Sequence, residues 1–328
     1  AYSRERSSAL VKLVDFESKA GTAFIANCLL EETLHDPVSL EVGRENETRF
    51  TAALAEIQDS APGELKFEGE KVFVVSGGTG GITAAIVEDL AKRSKGSFYL
   101  LSRTRVDNLS GADVQEILSN PNEYKARLMK EMASTGEKVT PVQVEARFAA
   151  LERAAGTLAL IKRVESFGAK ASYINCDVTD PESVATSMAQ IQAGTDHVDY
   201  FIHAAGLEKS RKLESKSVEE FHQVVDVKVN GFMNLFANLE RANLLPSSVI
   251  LFSSIAGRFG NAGQTDYSAG NDFLSKMAYW LPTQYPTLKV MSLDWGAWAE
   301  IGMASRGSIP TIMQHAGIEM LKPRQAAP

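Results

Sequence analysis

A chain of 328 residues, 44% hydrophobic and 23% charged, has the balance of a globular protein and room for one large or two modest domains. A formal net charge of -7 without any basic run argues against nonspecific nucleic-acid binding, and no apolar stretch is long enough to span a bilayer. The five histidines lack ligand spacing, and Cys28 and Cys176 lie too far apart for a zinc or redox pair, so no metal is expected and a reducing, cytoplasmic setting is favoured.

The chain starts without an apolar signal core or an initiator Met and reads as a piece of a longer protein. Residues 1–65 carry helical pattern, a turn at His35-Asp36-Pro37 and a strand-like run Val38–Val42, too little for an independent core. From residue 66 to about 300, short β-rich runs alternate with helical patterns, which predicts an α/β doubly wound parallel sheet of Rossmann type. The predicted strands are Lys71–Ser76, Phe98–Ser102, Ala171–Asp177, Val198–His203, Val249–Ser253 and Lys289–Asp294. Their cores are continuous and apolar, as in strands covered on both faces. Helices are predicted from Ile82, over about Ser217–Asn243, and from near Tyr267. Residues 107–155 form a charged insertion with helical stretches at Asp113–Leu118, Tyr124–Met132 and Val142–Leu160, broken at Asn120-Pro121 and Thr140-Pro141. It reads as a helical excursion on the surface or as an element that docks a partner.

Four strand ends converge on one ligand. Gly77-Gly78-Thr79-Gly80-Gly81-Ile82 follows the first strand and opens a helix, where bare backbone and free N–H groups suit a pyrophosphate. The second strand ends in Ser102-Arg103-Thr104, where an NAD site would place a carboxylate for the ribose 2′-hydroxyl. A guanidinium between hydroxyls suits a 2′-phosphate instead, so the expected cofactor is NADPH. Asp177-Val178 after the third strand is expected beside the adenine, and His203-Ala204-Ala205-Gly206 gives close backbone approach at the fourth. Ser254 ends the apolar run Val249–Phe252, and Tyr267 lies on the next helix with Asn271 four residues on. Ser254 and Tyr267 are expected to meet one carbonyl oxygen, the serine positioning it and the tyrosine protonating it.

Together with Leu293-Asp294-Trp295-Gly296-Ala297-Trp298, these motifs resemble the short-chain dehydrogenase/reductases over about residues 66–305. More narrowly, they resemble the ketoreductase domains of type I polyketide synthases and related multidomain fatty-acid synthases. Free-standing members carry Lys four residues after the Tyr; here Asn271 stands there, and the lysine is Lys228 on the earlier helix. The resemblance implies that Lys228 lowers the Tyr267 pKa and also contacts the nicotinamide ribose, while Asn271 holds the water or lysine that resupplies the proton. Residues 36–54 resemble the end of a truncated structural subdomain, so 1–65 is expected to be its remnant or a linker. The catalytic domain is expected over 66–322, with a lid at 301–321, and 323–328 as a linker.

The chain departs from the family pattern in places. Thr83 replaces the third glycine, Leu207-Glu208-Lys209 replaces Leu-Asp-Asp, and Phe259 stands where the opposite stereochemical type often has Trp. The resemblance implies NADPH-dependent reduction of a β-ketoacyl thioester held on the phosphopantetheine of an acyl carrier protein, beside neighbouring synthase domains. The competing readings are a reductase of free small ketones and a catalytically inactive structural ketoreductase.

Overall fold

The computed structural model describes residues 1–36, 38–56, 66–106, 109–134, 139–302, 309–315 and 317–323. Pro37 of the expected turn, the 57–65 end of the N-terminal region, 107–108 and 135–138 of the insertion, 303–308 of the lid and 324–328 of the linker lie outside them. A short helix α1 (Tyr2–Glu5) leads into β1 (Leu13–Phe16), α2 (Thr22–His35), β2 (Glu41–Glu45) and β3 (Thr48–Thr51). These strands form a three-stranded sheet in the order β1-β2-β3, with β1 and β2 parallel and β3 antiparallel to β2.

Little apolar surface is buried there, apart from Cys28 and Val42. A charge cluster takes the place of a larger core. The buried Glu32 carboxylate accepts from Arg49 (2.7 and 3.0 Å), Lys12 (3.1 Å) and Arg44 (2.6 and 3.0 Å). The Arg49 hydrogen bonds lead in drawing its pKa down to about 2. The expected strand Val38–Val42 is shifted to Glu41–Glu45, because β2 pairs in register with the unpredicted β1, Leu13 opposite Glu41.

The larger unit runs β4 (Val72–Ser76), α3 (Gly81–Ser94), β5 (Ser97–Ser102), α4 (Gly111–Ser119), α5 (Pro121–Ala133), α6 (Pro141–Ser166), β6 (Lys170–Asn175) and α7 (Pro181–Gly194). It continues with β7 (Tyr200–His203), α8 (Val218–Arg241), β8 (Ser248–Ser254), α9 (Ile255–Phe259), α10 (Thr265–Gln284), β9 (Lys289–Trp295) and α11 (Ile309–His315). Its six strands are all parallel, in the order β6-β5-β4-β7-β8-β9, which reverses direction between β4 and β7. Alternate strand residues feed two cores. Val74, Leu101, Phe201 and Leu251 pack with α7, α8 and α10, while Phe73, Val75, Phe98 and Leu100 pack with α3 and the end of α6.

The helix starts follow local chemistry. Thr140 and Gln143 form a reciprocal capping box with Pro141 at the first turn, so the Thr140-Pro141 break is where α6 begins. Asp180 likewise caps α7, accepting from the N–H groups of Glu182 and Ser183. The insertion differs from expectation at its far end. α4, α5 and the start of α6 share an apolar cluster (Val114, Ile117, Tyr124, Leu128, Val144, Phe148), yet α6 continues unbroken past residue 155. Its Leu160 and Val164 reach the main core, so the insertion ends inside the helix that connects β5 to β6. Among the described residues no helix is long and apolar enough to cross a membrane.

Candidate active site

The carboxyl ends of β4, β5, β7 and β8 share one edge, with the β4/β7 switch point between them. Gly77 has φ +68°, and a Cβ there would sit 2.8 Å from Ala205 N and 2.9 Å from Ala204 O. Only glycine lets the β4 turn and the end of β7 touch through bare backbone. Gly77 N donates to Leu101 O at 2.8 Å, and Gly78 packs where a Cβ would be 3.1 Å from Leu100 Cδ2. Gly80 precedes α3 and gives no side-chain cap, so its first N–H groups face outward beside Thr79, Gly81 and Ile82. A Gly81 Cβ would lie 3.1 Å from Gly302, and a Gly302 Cβ would lie 3.1 Å from Ile82 Cδ1. The segment after β9 therefore crosses the glycine turn, a contact between residues more than 200 positions apart that no local pattern announces.

At the next strand end Arg103 Nη1 lies 3.6 Å from Asp177 Oδ2, with both side chains substantially exposed, 52% and 38%. Ser102 Oγ lies within 3.4 Å of Thr104 N and Oγ1, and Tyr173 Oη donates to the carbonyls of Ser102 and Thr104. β6 ends at Asn175, so Asp177 belongs to the following loop and not to the strand as expected. Partial burial works against its charge, yet the bonds from Thr179 N and Oγ1 (3.0 and 2.7 Å) and the Arg103 guanidinium hold its pKa below the usual value. Val178 is buried where a Gly231 Cβ would come within 2.6 Å.

His203 is wholly buried, its Nδ1 2.8 Å from Ser76 Oγ, which also accepts from Ala205 N at 3.4 Å. Burial, reinforced by the Lys228 ammonium, lowers its pKa to about 3, so it stays neutral. The small residues Ala204, Ala205 and Gly206 then leave space that Lys228 fills. A Gly206 Cβ would meet Lys228 Cε at 2.9 Å, and a Gly270 Cβ would meet Lys228 Cβ at 3.0 Å.

Ser254, at the end of β8, and Asn271 both hydrogen-bond the Tyr267 side chain on α10, while Lys228 of α8 packs against Gly270 of α10. Ser254 caps α9, accepting from Ala256 N at 3.2 Å, and its hydroxyl lies 3.5 Å from Trp295 O. Gly257 fixes the approach of α9 to α10, because a Cβ there would fall 2.9 Å from Asn271 Cβ and Asp272 N. Burial raises the Tyr267 pKa and the Glu208 carboxylate adds to the rise, while hydrogen bonding with Ser254 and Asn271 opposes it. Asn271 Nδ2 donates to Tyr267 O at 2.7 Å, its own carbonyl accepts from Ser253 Oγ at 2.9 Å, and its buried Oδ1 has no partner among the described residues.

Lys228 is buried, its Nζ donates to Phe252 O at 2.5 Å, and desolvation lowers its pKa to about 7. The expectation that Lys228 lowers the Tyr267 pKa is not met in this structure. The amine is turned to Phe252 O, and burial of the phenol outweighs the groups that favour its anion. Sequence reasoning also passed over Lys216 and Asp266, and noted Glu208 only as a departure from Leu-Asp-Asp. Asp266 precedes Tyr267 directly, but an acidic residue in a helix's first turn reads as ordinary capping.

The residues fit a dinucleotide. The first turn of α3 has no side-chain cap for its free N–H groups, as a pyrophosphate needs, and Asn271 Oδ1 is a buried acceptor without a donor among the described residues. Among those residues no cluster of side chains could hold a metal ion.

Residues 146–300 match the protein family described as KR domain. The chain is 31% identical over 259 residues to a polyunsaturated fatty acid synthase component of Thraustochytrium sp., covering 77% of this chain and 9% of that protein. It is 31% identical over 198 residues to polyketide synthase PksN of Bacillus subtilis, covering 59% of this chain and 4% of that one. The chain thus spans less than a tenth of either relative. Among solved structures it is similar to a ketoreductase domain from the bacillaene assembly line, with a TM-score of 0.75, 20% identity and coverage of 99% of this chain and 67% of that one. It is also similar to A-type ketoreductases from a modular polyketide synthase, with a TM-score of 0.73, 22% identity and coverage of 99% and 58%. These likenesses show a shared fold.

Proposed function

Residues 146–300 of the chain are a KR domain, and from that premise we propose an NADPH-dependent reductase of β-ketoacyl thioesters carried on the phosphopantetheine of an acyl carrier protein. The observation that supports the reading is the hydrogen bonding of the Tyr267 side chain with Ser254 and Asn271, in a sheet whose strand order switches between β4 and β7. Gly77, Gly78, Thr79, Gly80, Gly81 and Ile82 would hold the pyrophosphate; Ser102, Arg103 and Thr104 the 2′-phosphate; Asp177 and Val178 the adenine; and His203–Gly206 with Lys228 the nicotinamide half. When bound, the cofactor supplies hydride to the ketone carbon.

The chain's own residues handle the oxygen. As the C=O π pair moves onto it, the Ser254 and Tyr267 hydroxyls hydrogen-bond the developing charge, and Tyr267 transfers its proton to give the alcohol. The raised phenol pKa suits this direction, because Tyr267 stays protonated at neutral pH. Asn271, which hydrogen-bonds the Tyr267 side chain, and Lys228, packed against Gly270 one helical position before it, would return the proton. Residues 301–321 serve as a lid, supported by Gly302 against Ile82 and by the Trp298–Leu321 bridge. The domain works beside neighbouring synthase domains in a cytoplasmic assembly, with 66–322 as its catalytic part, 1–65 as a partial structural subdomain and 323–328 as a linker.

A substrate panel tests the reading. The expected order of kcat/KM is β-ketoacyl carrier protein, then a short pantetheine thioester, then free small ketones; a reversed order favours a reductase of free ketones. Cofactor choice has its own test. Arg103 reaches Asp177 across an exposed gap of 3.6 Å, so a 2′-phosphate would exchange one anionic partner of the guanidinium for another. Arg103→Asp is expected to weaken NADPH binding by about tenfold or more while NADH binding holds or improves. Unchanged NADPH affinity in a titration would sink this assignment.

A further inference from the structure

The 207–216 loop carries Glu208, whose carboxylate acts on the Tyr267 phenol, and a buried ion pair joins that loop to the first turn of α10. Lys216 Nζ lies 2.5 Å from Asp266 Oδ1, with side chains only 1% and 0% exposed. Lys216 Nζ also donates to Lys209 O at 2.9 Å, in the loop that follows β7. The same Asp266 oxygen accepts the Tyr267 N–H at 2.9 Å. One carboxylate oxygen therefore connects the cation of that loop to the backbone of the residue that carries the acid.

Weaker contacts repeat this stitching. Arg211 N donates to Gly263 O at 2.8 Å, and Gln264 Nε2 lies 3.1 Å from both Glu208 Oε1 and Ser210 Oγ. Glu5 of α1 spans the outside, accepting from Leu213 N at 2.8 Å, Gly263 N at 3.0 Å and Thr265 Oγ1 at 2.9 Å. A buried ion pair is a poor source of net stability, because desolvation offsets the attraction and apolar side chains of similar volume often do as well. The buried Asp266 Oδ2 has no partner among the described residues, which adds to that cost. Stability alone does not account for a charge pair at this place.

Building on the reading of the site as a reductase, we propose that Lys216 and Asp266 are positioning residues, whose ion pair locks the 207–216 loop to the first turn of α10. The lock fixes the Tyr267 phenol relative to Ser254 and to the loop that carries Glu208. Neither residue touches the reacting atoms; both act through Tyr267. Lys216→Met alone leaves a buried carboxylate without its cation, so a loss of stability there is expected and does not discriminate.

The discriminating variant is Lys216→Met with Asp266→Leu. It is expected to melt near the parent and to bind NADPH unchanged, yet to lose about tenfold or more in kcat with KM changed by less than about threefold. Amide hydrogen exchange at Tyr267 and at residues 209–216 should quicken together, while the glycine turn after β4 keeps its protection. Lys216→Arg, which keeps the pair, should retain most of the parent's kcat. If that double variant does not fold, Lys216→Met with Asp266→Asn, which removes both charges and keeps an acceptor for the Tyr267 N–H, is read in the same way. Parental kcat, or unchanged exchange at Tyr267 and at residues 209–216, would overturn the proposal. A parent that reduces no thioester refutes the functional reading instead, and the exchange comparison still decides the positioning claim.

Discussion

Tyr267→Phe is expected to lose about 10²–10⁴-fold in turnover while NADPH affinity stays within experimental error of the parent. The substitution deletes one hydroxyl and leaves the ring, so α10 and its contacts with Ser253 and Gly257 should be unaffected. The loss should fall on kcat and kcat/KM alike, as for an interaction made only in the transition state. Ser254→Ala removes the second donor to the same oxygen and should lower turnover by a smaller factor, since the acid remains. It also deletes the cap on α9, so its thermal midpoint needs checking beside its rate. With the phenol pKa raised by burial, Tyr267 itself should stay protonated and not limit reductive turnover at neutral pH, whereas loss of the Lys228 charge should show as a decline in turnover above about pH 7. Near-normal turnover in Tyr267→Phe would refute the proton-donor role.

Lys228→Met is expected to separate activity from stability. Turnover should fall by orders of magnitude, because the amine between Gly206 and Gly270 supplies the cation of the proposed catalytic group. Stability should change in the opposite sense. The Lys228 pKa is about 7 in the fold against 10.5 in the unfolded chain, so between those values the unfolded chain binds more protons and stability rises with pH. Below about 7 the full desolvation cost of the ammonium weighs on the fold, on the order of a few kcal/mol. Methionine removes that cost and lengthens no side chain. The variant should thus be the more stable protein at about pH 6, with the advantage shrinking by about pH 9. Denaturant titrations at both pH values check this, and a variant less stable than the parent at the lower pH contradicts it.

Much of the fold was legible because the central strands are buried on both faces. Val72–Ser76 and Ser248–Ser254 are continuous apolar runs whose ends the sequence located to within one residue. The N-terminal unit was less legible for the converse reason. β1 and β3 alternate or expose their residues, and Glu32 with its basic partners fills a place usually left to apolar side chains. α7 was not singled out, although Asp180 before Pro181 is a cap and Val184, Met188 and Ile191 recur at helical spacing on its buried face. In the site, the glycine turn and the Ser254–Tyr267–Asn271 spacing could be read because their neighbours in sequence are their neighbours in the fold. Lys216 and Asp266 could not, since they lie 50 residues apart and each alone looks like a solvated charge. Resemblance rather than spacing singled out Lys228, and burial of the phenol with the Glu208 carboxylate beside it raises the Tyr267 pKa, opposite to the expected shift.

The most direct test of the account is to follow NADPH and acyl product together on a β-ketoacyl carrier protein. The prediction is that NADPH is oxidised and β-hydroxyacyl thioester appears in equal amounts, with chiral analysis giving one alcohol configuration. A protein that binds NADPH but leaves every β-ketoacyl thioester unreduced would contradict it and make the domain a structural one.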